Sequence, residues 1–192
     1  MKLPRAGLAT LLVGCVAACS ARQPAVPEQA SGASLQGGMH PDEACVPTGP
    51  ERCFDARDDN CNGIIDEGCG VPSGLVQFVI AWDAPTADVD LLVSDPRGEL
   101  AEVGRKTAAG LVKDRDCPGR KQDCAGKNYE NVYLDREEAK RGPYRVKVRL
   151  ERLEDEDVPI HVTLGARIGP KTYATELSLL RAEDTRELLF VL

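Results

Sequence analysis

The chain has 192 residues with 24 basic and 31 acidic side chains, and its formal net charge is −7. This length fits one domain of ordinary size together with a smaller module and a tail. The acidic balance, the pI near 5.0 and the absence of a basic patch in the sequence exclude a nucleic-acid-binding protein, because such proteins hold phosphates with clustered lysines and arginines.

Residues 1–18 have the pattern of a secretion signal. Lys2 and Arg5 precede an apolar run that is too short to span a membrane and ends in small residues. The segments that end at Cys15 and at Cys19 both resemble the bacterial lipoprotein signal, in which the cysteine is acylated and becomes the new amino terminus. We expect cleavage before Cys19, because it leaves a longer apolar core and an even number of cysteines. The alternative is an ordinary cleaved signal with free secretion.

Residues 19–42 are predicted to form a flexible tether, because they are rich in Ala, Ser, Gly, Gln and Pro and contain little that could form a core. Resemblance to the lipoprotein sorting rule of diderm bacteria implies delivery to the outer membrane, since Ser20 rather than Asp follows the cysteine. We therefore expect an envelope protein held by acyl chains such as palmitate, facing the periplasm or the cell surface.

Residues 43–71 are predicted to form a cysteine-rich module. Its four cysteines recur at a constant spacing of eight: Cys45, Cys53, Cys61 and Cys69. In an exported chain they indicate disulfides, and zinc is disfavoured because the paired C-x2-C spacing is absent. Three pairings are possible, and we expect Cys53–Cys61 across the acidic loop enclosed by Cys45–Cys69. Each closure stabilises the fold by about 2 to 3 kcal/mol in the loop-entropy model.

The same module contains a pattern of oxygen-bearing residues close to the D-x-[DN]-x-[DN]-G frame of a calcium loop. Calcium takes six to eight oxygens, and alternate residues of a tight loop can point them inward. The predicted ligands are the side chains of Asp58, Asn60, Asn62, Asp66 and Glu67 and the carbonyl of Ile64. Ile65 is expected to tie the loop to a core. Cys69 replaces the glutamate that a helix-loop-helix calcium hand needs at position twelve, and the alternative is a solvated Asx-rich turn.

The stretch ERCFDARDDNCNGIIDEGC resembles the MopE-like metal-binding repeat of bacterial surface proteins. The resemblance implies a metal site, and it departs from the family pattern at Phe54 and Asp55. Copper is disfavoured, because it prefers imidazole and sulfur ligands and the only nearby histidine is His40. The matching residues are Glu51, Cys53, Asp58, Asp59, Asn60, Cys61, Asn62, Gly63, Asp66, Glu67 and Gly68.

Residues 74–192 contain short apolar or alternating runs separated by turn signals, which predict an all-β fold, an antiparallel β-sandwich or jelly roll. A short helix is predicted at Arg136 to Arg141. The predicted strands are Val76 to Trp82, Val89 to Val93, Leu111 to Lys113, Asn131 to Leu134, Tyr144 to Leu150, Ile160 to Ile168, Thr172 to Leu179 and Glu187 to Leu192.

The segments AWDAPTADVDLLVSDPRGE, KNYENVYL and GPYRVKVRL resemble the YfaP-like domain and the related pre-peptidase sandwiches of exported bacterial proteins. The resemblance implies an extracytoplasmic accessory or binding module, and some such sandwiches carry calcium on loop carboxylates. Solvated acids are the alternative for the candidate second site, whose residues are Asp88, Asp90, Asp114, Asp116 and Glu130. Cys117 and Cys124 predict a local disulfide around an exposed basic tip, Arg120 and Lys121.

No catalytic motif is found, so we expect no enzyme. His161 alternates with apolar neighbours and is predicted to be the outward residue of a strand. The expected function is binding or display at the cell envelope, with an envelope protein or a polysaccharide as partner. Two alternatives stay open: an accessory subunit of a secreted hydrolase and a purely structural envelope protein.

Overall fold

The computed structural model describes residues 45–118, 124–153 and 158–192 in full, and the backbone of residues 32–35. These residues form nine strands and contain no helix, so none of them belongs to a helix able to cross a membrane. The strands are β1 (Gly32–Leu35), β2 (Val76–Trp82), β3 (Asp88–Ser94), β4 (Leu111–Lys113), β5 (Tyr129–Leu134), β6 (Pro143–Arg152), β7 (Ile160–Ile168), β8 (Lys171–Leu179) and β9 (Thr185–Val191).

The strands form two antiparallel sheets. Sheet A has the order β1-β9-β6-β3, and sheet B has the order β4-β5-β2-β7-β8. Phe78 of β2 reaches across to sheet A, where its ring centroid lies 5.1 Å from that of Phe190 and 6.4 Å from that of Tyr144. The main core therefore lies between the two sheets, as the prediction of an all-β sandwich requires.

All eight predicted strands of the carboxy-terminal domain are confirmed, with ends that shift by at most a few residues. The helix predicted at Arg136 to Arg141 is wrong, because the described chain only bends there between β5 and β6. Six residues with a single apolar side chain, Ala139, have too little burial to offset the entropy of starting a helix. Gly142, whose φ is 126°, then turns the chain into β6.

Part of the predicted tether is a strand. Residues 32–35 form β1, which pairs antiparallel with β9 in a register that places Gly32 opposite Val191 and Leu35 opposite Leu188. The backbone hydrogen bonds offered by an open sheet edge can order such a segment, although its composition does not predict a strand. The signal, Cys19, His40 and the basic tip lie outside the described residues.

The cysteine-rich module packs on the outer face of sheet B. Every side chain of β2 is buried, which requires a cover on both faces of the sheet. The outer cover is a second apolar cluster in which Ala56, Ile65 and Val71 of the module contact Val79, Ala81 and Tyr129 of the sheet. The expected role of Ile65 is confirmed, since only 1% of this residue is exposed. Module and sandwich thus share a core.

Candidate cation site in the disulfide-stapled module

The module is closed by two disulfides, Cys45–Cys61 and Cys53–Cys69, each of which joins residues 16 apart. The predicted pairing of Cys53 with Cys61 and of Cys45 with Cys69 is therefore wrong. The reason lies in the path of the backbone. Thr48 N donates to Asp59 O at 2.9 Å, which brings the start of the module beside Cys61.

The turn after Cys53 folds toward the other end of the module. Phe54 N donates to Asp66 Oδ1 at 2.7 Å, and Asp55 N donates to the same oxygen at 3.3 Å. These bonds hold Cys53 next to Cys69. The pairing thus follows from hydrogen bonds between segments that are distant in the sequence, and cysteine spacing carries no information about them.

Asp58 organises the first half of the predicted loop. Its Oδ1 accepts a hydrogen bond from Asn62 N at 3.0 Å, and its Oδ2 accepts one from Gly63 N at 2.9 Å. Asn60 Oδ1 also accepts from Asn62 N at 3.0 Å, and Asn62 Oδ1 accepts from Ile64 N at 2.9 Å. The loop therefore turns tightly around Asp58, Asn60 and Asn62 as the alternating pattern predicts, and Gly63 takes the positive φ of 87° that this turn needs.

Glu67 meets the side chains of Asn60 and Asn62. Both asparagine Nδ2 groups donate to Glu67 Oε1, whereas Glu67 Oε2 is buried and has no hydrogen-bond partner among the described residues. Backbone N–H groups hold the side-chain oxygens of both asparagines, so each asparagine faces Glu67 with its Nδ2 group. The structure thus brings together the oxygen-bearing groups of Asp58, Asn60, Asn62 and Glu67, with Ile64 between them in the chain.

Asp66 faces a different part of the module. Its Oδ1 binds the backbone amides of Phe54 and Asp55, and its Oδ2 is buried without a partner among the described residues. The residue is completely buried, and burial raises its pKa to about 6. Asp66 therefore contributes to the fold of the turn at residues 54–56, and its described contacts do not join it to the asparagines.

Glu51 is a residue of the site that sequence reasoning left without a role. Its carboxylate oxygens accept hydrogen bonds from Asp66 N at 2.8 Å and Asp59 N at 3.1 Å. Burial, followed by the negative charge of Glu67, raises its pKa to about 7. The signal that could have found Glu51 is its place at the start of the acidic, cysteine-rich stretch, eight residues before Asp59 and sixteen before Glu67, whose charges both raise its pKa.

The arginines of the module are engaged elsewhere. Arg52 binds Asp59, with its Nη2 3.0 Å from Oδ1, and Arg57 pairs with Glu176 of β8. Burial alone would raise the pKa of Asp59, but hydrogen bonds from Arg52 and Thr48 outweigh it and lower the pKa to about 2. The described ion pairs of both arginines go to acids other than Glu51 and Glu67, and a cation is a group that would compensate the repulsion between these two glutamates.

Phe54 and Ala56 are two of the four non-glycine residues of the module that adopt a left-handed backbone conformation, which favours Gly or Asn. The φ of Phe54 is 67° and that of Ala56 is 60°. Packing holds both in place, because the Phe54 ring stacks on Tyr129 at a centroid distance of 4.9 Å and Ala56 is buried against sheet B. Phe54 therefore serves the contact between the module and the sandwich.

A second acidic cluster lies at the end of the sandwich. Carboxylate oxygens of Asp90, Asp116 and Glu130 lie within 4.8 Å of one another, the only such group of three in the described ranges. Lys113 Nζ sits among them, 3.0 Å from Asp116 Oδ1 and 2.8 Å from Glu130 Oε2. An ammonium group of the chain thus already compensates two of the three carboxylates, and Arg149 pairs with the third, Asp90.

Of the other acids predicted for this second site, Asp88 lies 3.5 Å from Arg152 and Asp114 bonds to Asn131, so neither joins the cluster through these contacts. The predicted disulfide Cys117–Cys124 is confirmed. His161 is exposed on β7, as expected for the outward residue of an alternating strand.

Comparisons of the chain with protein-family models, with curated proteins and with solved structures found no match.

Proposed function

We propose that residues 45–69 bind calcium, with Asp58, Asn60, Asn62 and Glu67 as side-chain ligands and Ile64 as the carbonyl ligand. One observation carries the proposal: Glu67 meets both asparagine side chains with one oxygen and has a buried, unpartnered second oxygen. Buried carboxylate oxygens are otherwise satisfied by a donor or a cation. Hard oxygen donors suit calcium better than a transition metal.

The module is the calcium-dependent part of a cell-envelope lipoprotein. Acylation of Cys19 anchors the chain in the outer membrane, and the sandwich presents a surface to an envelope protein or a polysaccharide. The disulfides support this assignment, because stapled modules belong to oxidising compartments. Mass spectrometry of the mature protein tests the anchor: acyl chains on residue 19 are expected, and acylation that persists in Cys19→Ser would contradict it.

Calcium titration of the oxidised, mature protein tests the metal proposal. A dissociation constant on the order of 10⁻⁴ to 10⁻³ M is expected, which suits millimolar calcium outside the cell. Binding to the folded form raises its melting temperature, and the rise grows with the logarithm of the calcium concentration once that concentration exceeds the dissociation constant. Magnesium is expected to substitute poorly, because its small octahedral shell fits a flexible loop less well.

Glu67→Gln is the informative variant, because it removes the charge and keeps the shape. It is expected to lose most of the calcium-induced rise in melting temperature. Glu187→Gln, which neutralises an exposed acid on β9, is the matched control and should respond to calcium as the unaltered protein does. A calcium response that is absent from the unaltered protein, with its disulfides intact, would refute the proposal.

A further inference from the structure

The proposed cation site touches the sandwich through Asp58. Thr172 Oγ1 of β8 donates a hydrogen bond to Asp58 Oδ2 at 3.0 Å, across 114 residues of sequence. Only 8% of Asp58 is exposed. The same oxygen accepts from Gly63 N, so one oxygen of the proposed ligand is held jointly by the loop and by the sandwich.

Two further contacts hold β7 and β8 against this part of the module. Arg57, the neighbour of Asp58, pairs with Glu176 of β8, which also accepts a hydrogen bond from Thr163 Oγ1 of β7 at 3.1 Å. A Cβ atom at Gly165 would lie only 2.1 Å from the Ala56 carbonyl oxygen, so the backbones of β7 and the module meet directly. The position of Thr172 relative to Asp58 is therefore set by packing on both sides.

Asp58 also borders a cleft of about 500 Å³ between β8 and the start of the module, whose lining includes Cys45, Thr48 and Thr172. This cleft gives an ion a route from solvent to the side of the loop that faces β8. Groups that hydrogen-bond to a metal ligand fix its orientation and so contribute to affinity. Thr172 is such a group, because it donates a hydrogen bond to the proposed ligand Asp58.

We propose that the sandwich completes the cation site, with Thr172 as a positioning residue that orients Asp58 for calcium. This inference rests on the proposed calcium-binding function and adds a coupling to it. Because docking of the module on β8 orders a ligand, docking tightens calcium binding, and by linkage calcium tightens docking to the same extent. The sandwich edge formed by β8 thereby senses the occupancy of the loop.

Calcium titration of the full-length mature protein tests the coupling with two variants at one position. Thr172→Val keeps the shape of the side chain and removes its hydroxyl donor, whereas Thr172→Ser keeps the donor. Removing a group that orients a metal ligand lowers affinity by about 10- to 100-fold, and the low end applies here because Gly63 N still holds the same oxygen. We expect the dissociation constant to rise about tenfold in Thr172→Val and to return to the unaltered value in Thr172→Ser.

Hydrogen exchange of the β8 amides provides a readout that a purely structural threonine would not change. Calcium is expected to slow exchange along β8 in the unaltered protein and in Thr172→Ser, and less so in Thr172→Val at equal saturation. If Thr172→Val binds calcium as tightly as the unaltered protein, the coupling is refuted while the calcium site stands. If the unaltered protein binds no calcium, the proposed function fails and the coupling fails with it.

Discussion

Asp88 stands at the start of β3 with a carboxyl group whose pKa is raised to about 6, chiefly by burial and then by the charge of Asp90. The folded protein therefore holds this proton at pH values where the unfolded chain has released it. Stability from this group is fully present below about pH 4 and is lost as the pH rises toward 6.

Asp88→Asn should remove this part of the pH dependence, because the amide does not titrate. Between pH 4 and pH 7 the free energy of unfolding of the unaltered protein should fall, relative to that of Asp88→Asn, by on the order of 1 kcal/mol. The figure is this small because Arg152 and solvent offset part of the pKa shift. Urea unfolding at both pH values measures it. Parallel pH profiles for the two proteins would show that Asp88 ionises freely in the folded state.

The tight turn of the loop could be predicted from the sequence, but the contacts of its acidic side chains could not. The alternating Asp58, Asn60 and Asn62 followed by Gly63 predicted the tight turn, because short polar side chains that bond the backbone define such turns. Asp66 was indistinguishable from Glu67 in the sequence. Which of the two meets the asparagines depends on how residues 54–56 fold back, a contact that no local pattern encodes.

The two disulfides of the module hold whole segments of its chain together. Cys45–Cys61 encloses the same length of chain as Cys53–Cys69, and the two overlap, so neither half of the module is held by one bridge alone. Loop closure of this length stabilises by about 3 kcal/mol in the entropy model, and the shorter Cys117–Cys124 loop by about 2.5 kcal/mol.

Cys45→Ala with Cys61→Ala is therefore expected to abolish the calcium-induced rise in melting temperature, because the start of the loop is no longer held beside Cys61. The pair Cys117→Ala with Cys124→Ala is the control, since it loses a disulfide of the sandwich and should keep its calcium response. Scanning calorimetry with and without calcium measures both. A calcium response that survives the first pair would show that hydrogen bonds alone organise the loop.

The strands of the sandwich were predictable because alternation reports burial on one face. β6 is the clearest case, with buried Tyr144, Val146, Val148 and Leu150 between more exposed neighbours. β1 was not predictable, since its four residues have no such pattern and are ordered by the edge of β9. The docking of the module had one signal that went unused: β2 is apolar almost throughout, which indicates cover on both faces.

On the scale of the whole molecule, module and sandwich are expected to unfold together, because sheet B forms part of two apolar clusters. Gly165→Ala should destabilise the whole protein by about 2 kcal/mol, since the added Cβ atom cannot fit beside the Ala56 carbonyl. Calorimetry should show one transition, shifted downward in the variant. Ser178→Ala, an exposed position on β8, is the control and should change stability little.

Two separate transitions in the unaltered protein would contradict this single unit. Equal stability of Gly165→Ala and the unaltered protein would contradict the direct approach of the two backbones. Either result would also weaken the coupling between calcium and β8, because that coupling needs the module to stay docked.

The burial of β2 on both faces bears on the order in which the chain folds and forms its disulfides. Before the four module cysteines are oxidised, only non-covalent contacts, such as the stacking of Phe54 on Tyr129, hold Ala56 and Ile65 over the outer face of sheet B. A sandwich whose module is still reduced and undocked would present this apolar face to its neighbours, as aggregation-prone intermediates do. Oxidation of the four cysteines thus secures the cover over an apolar surface, and expression under conditions that oxidise thiols poorly should leave more of the protein insoluble.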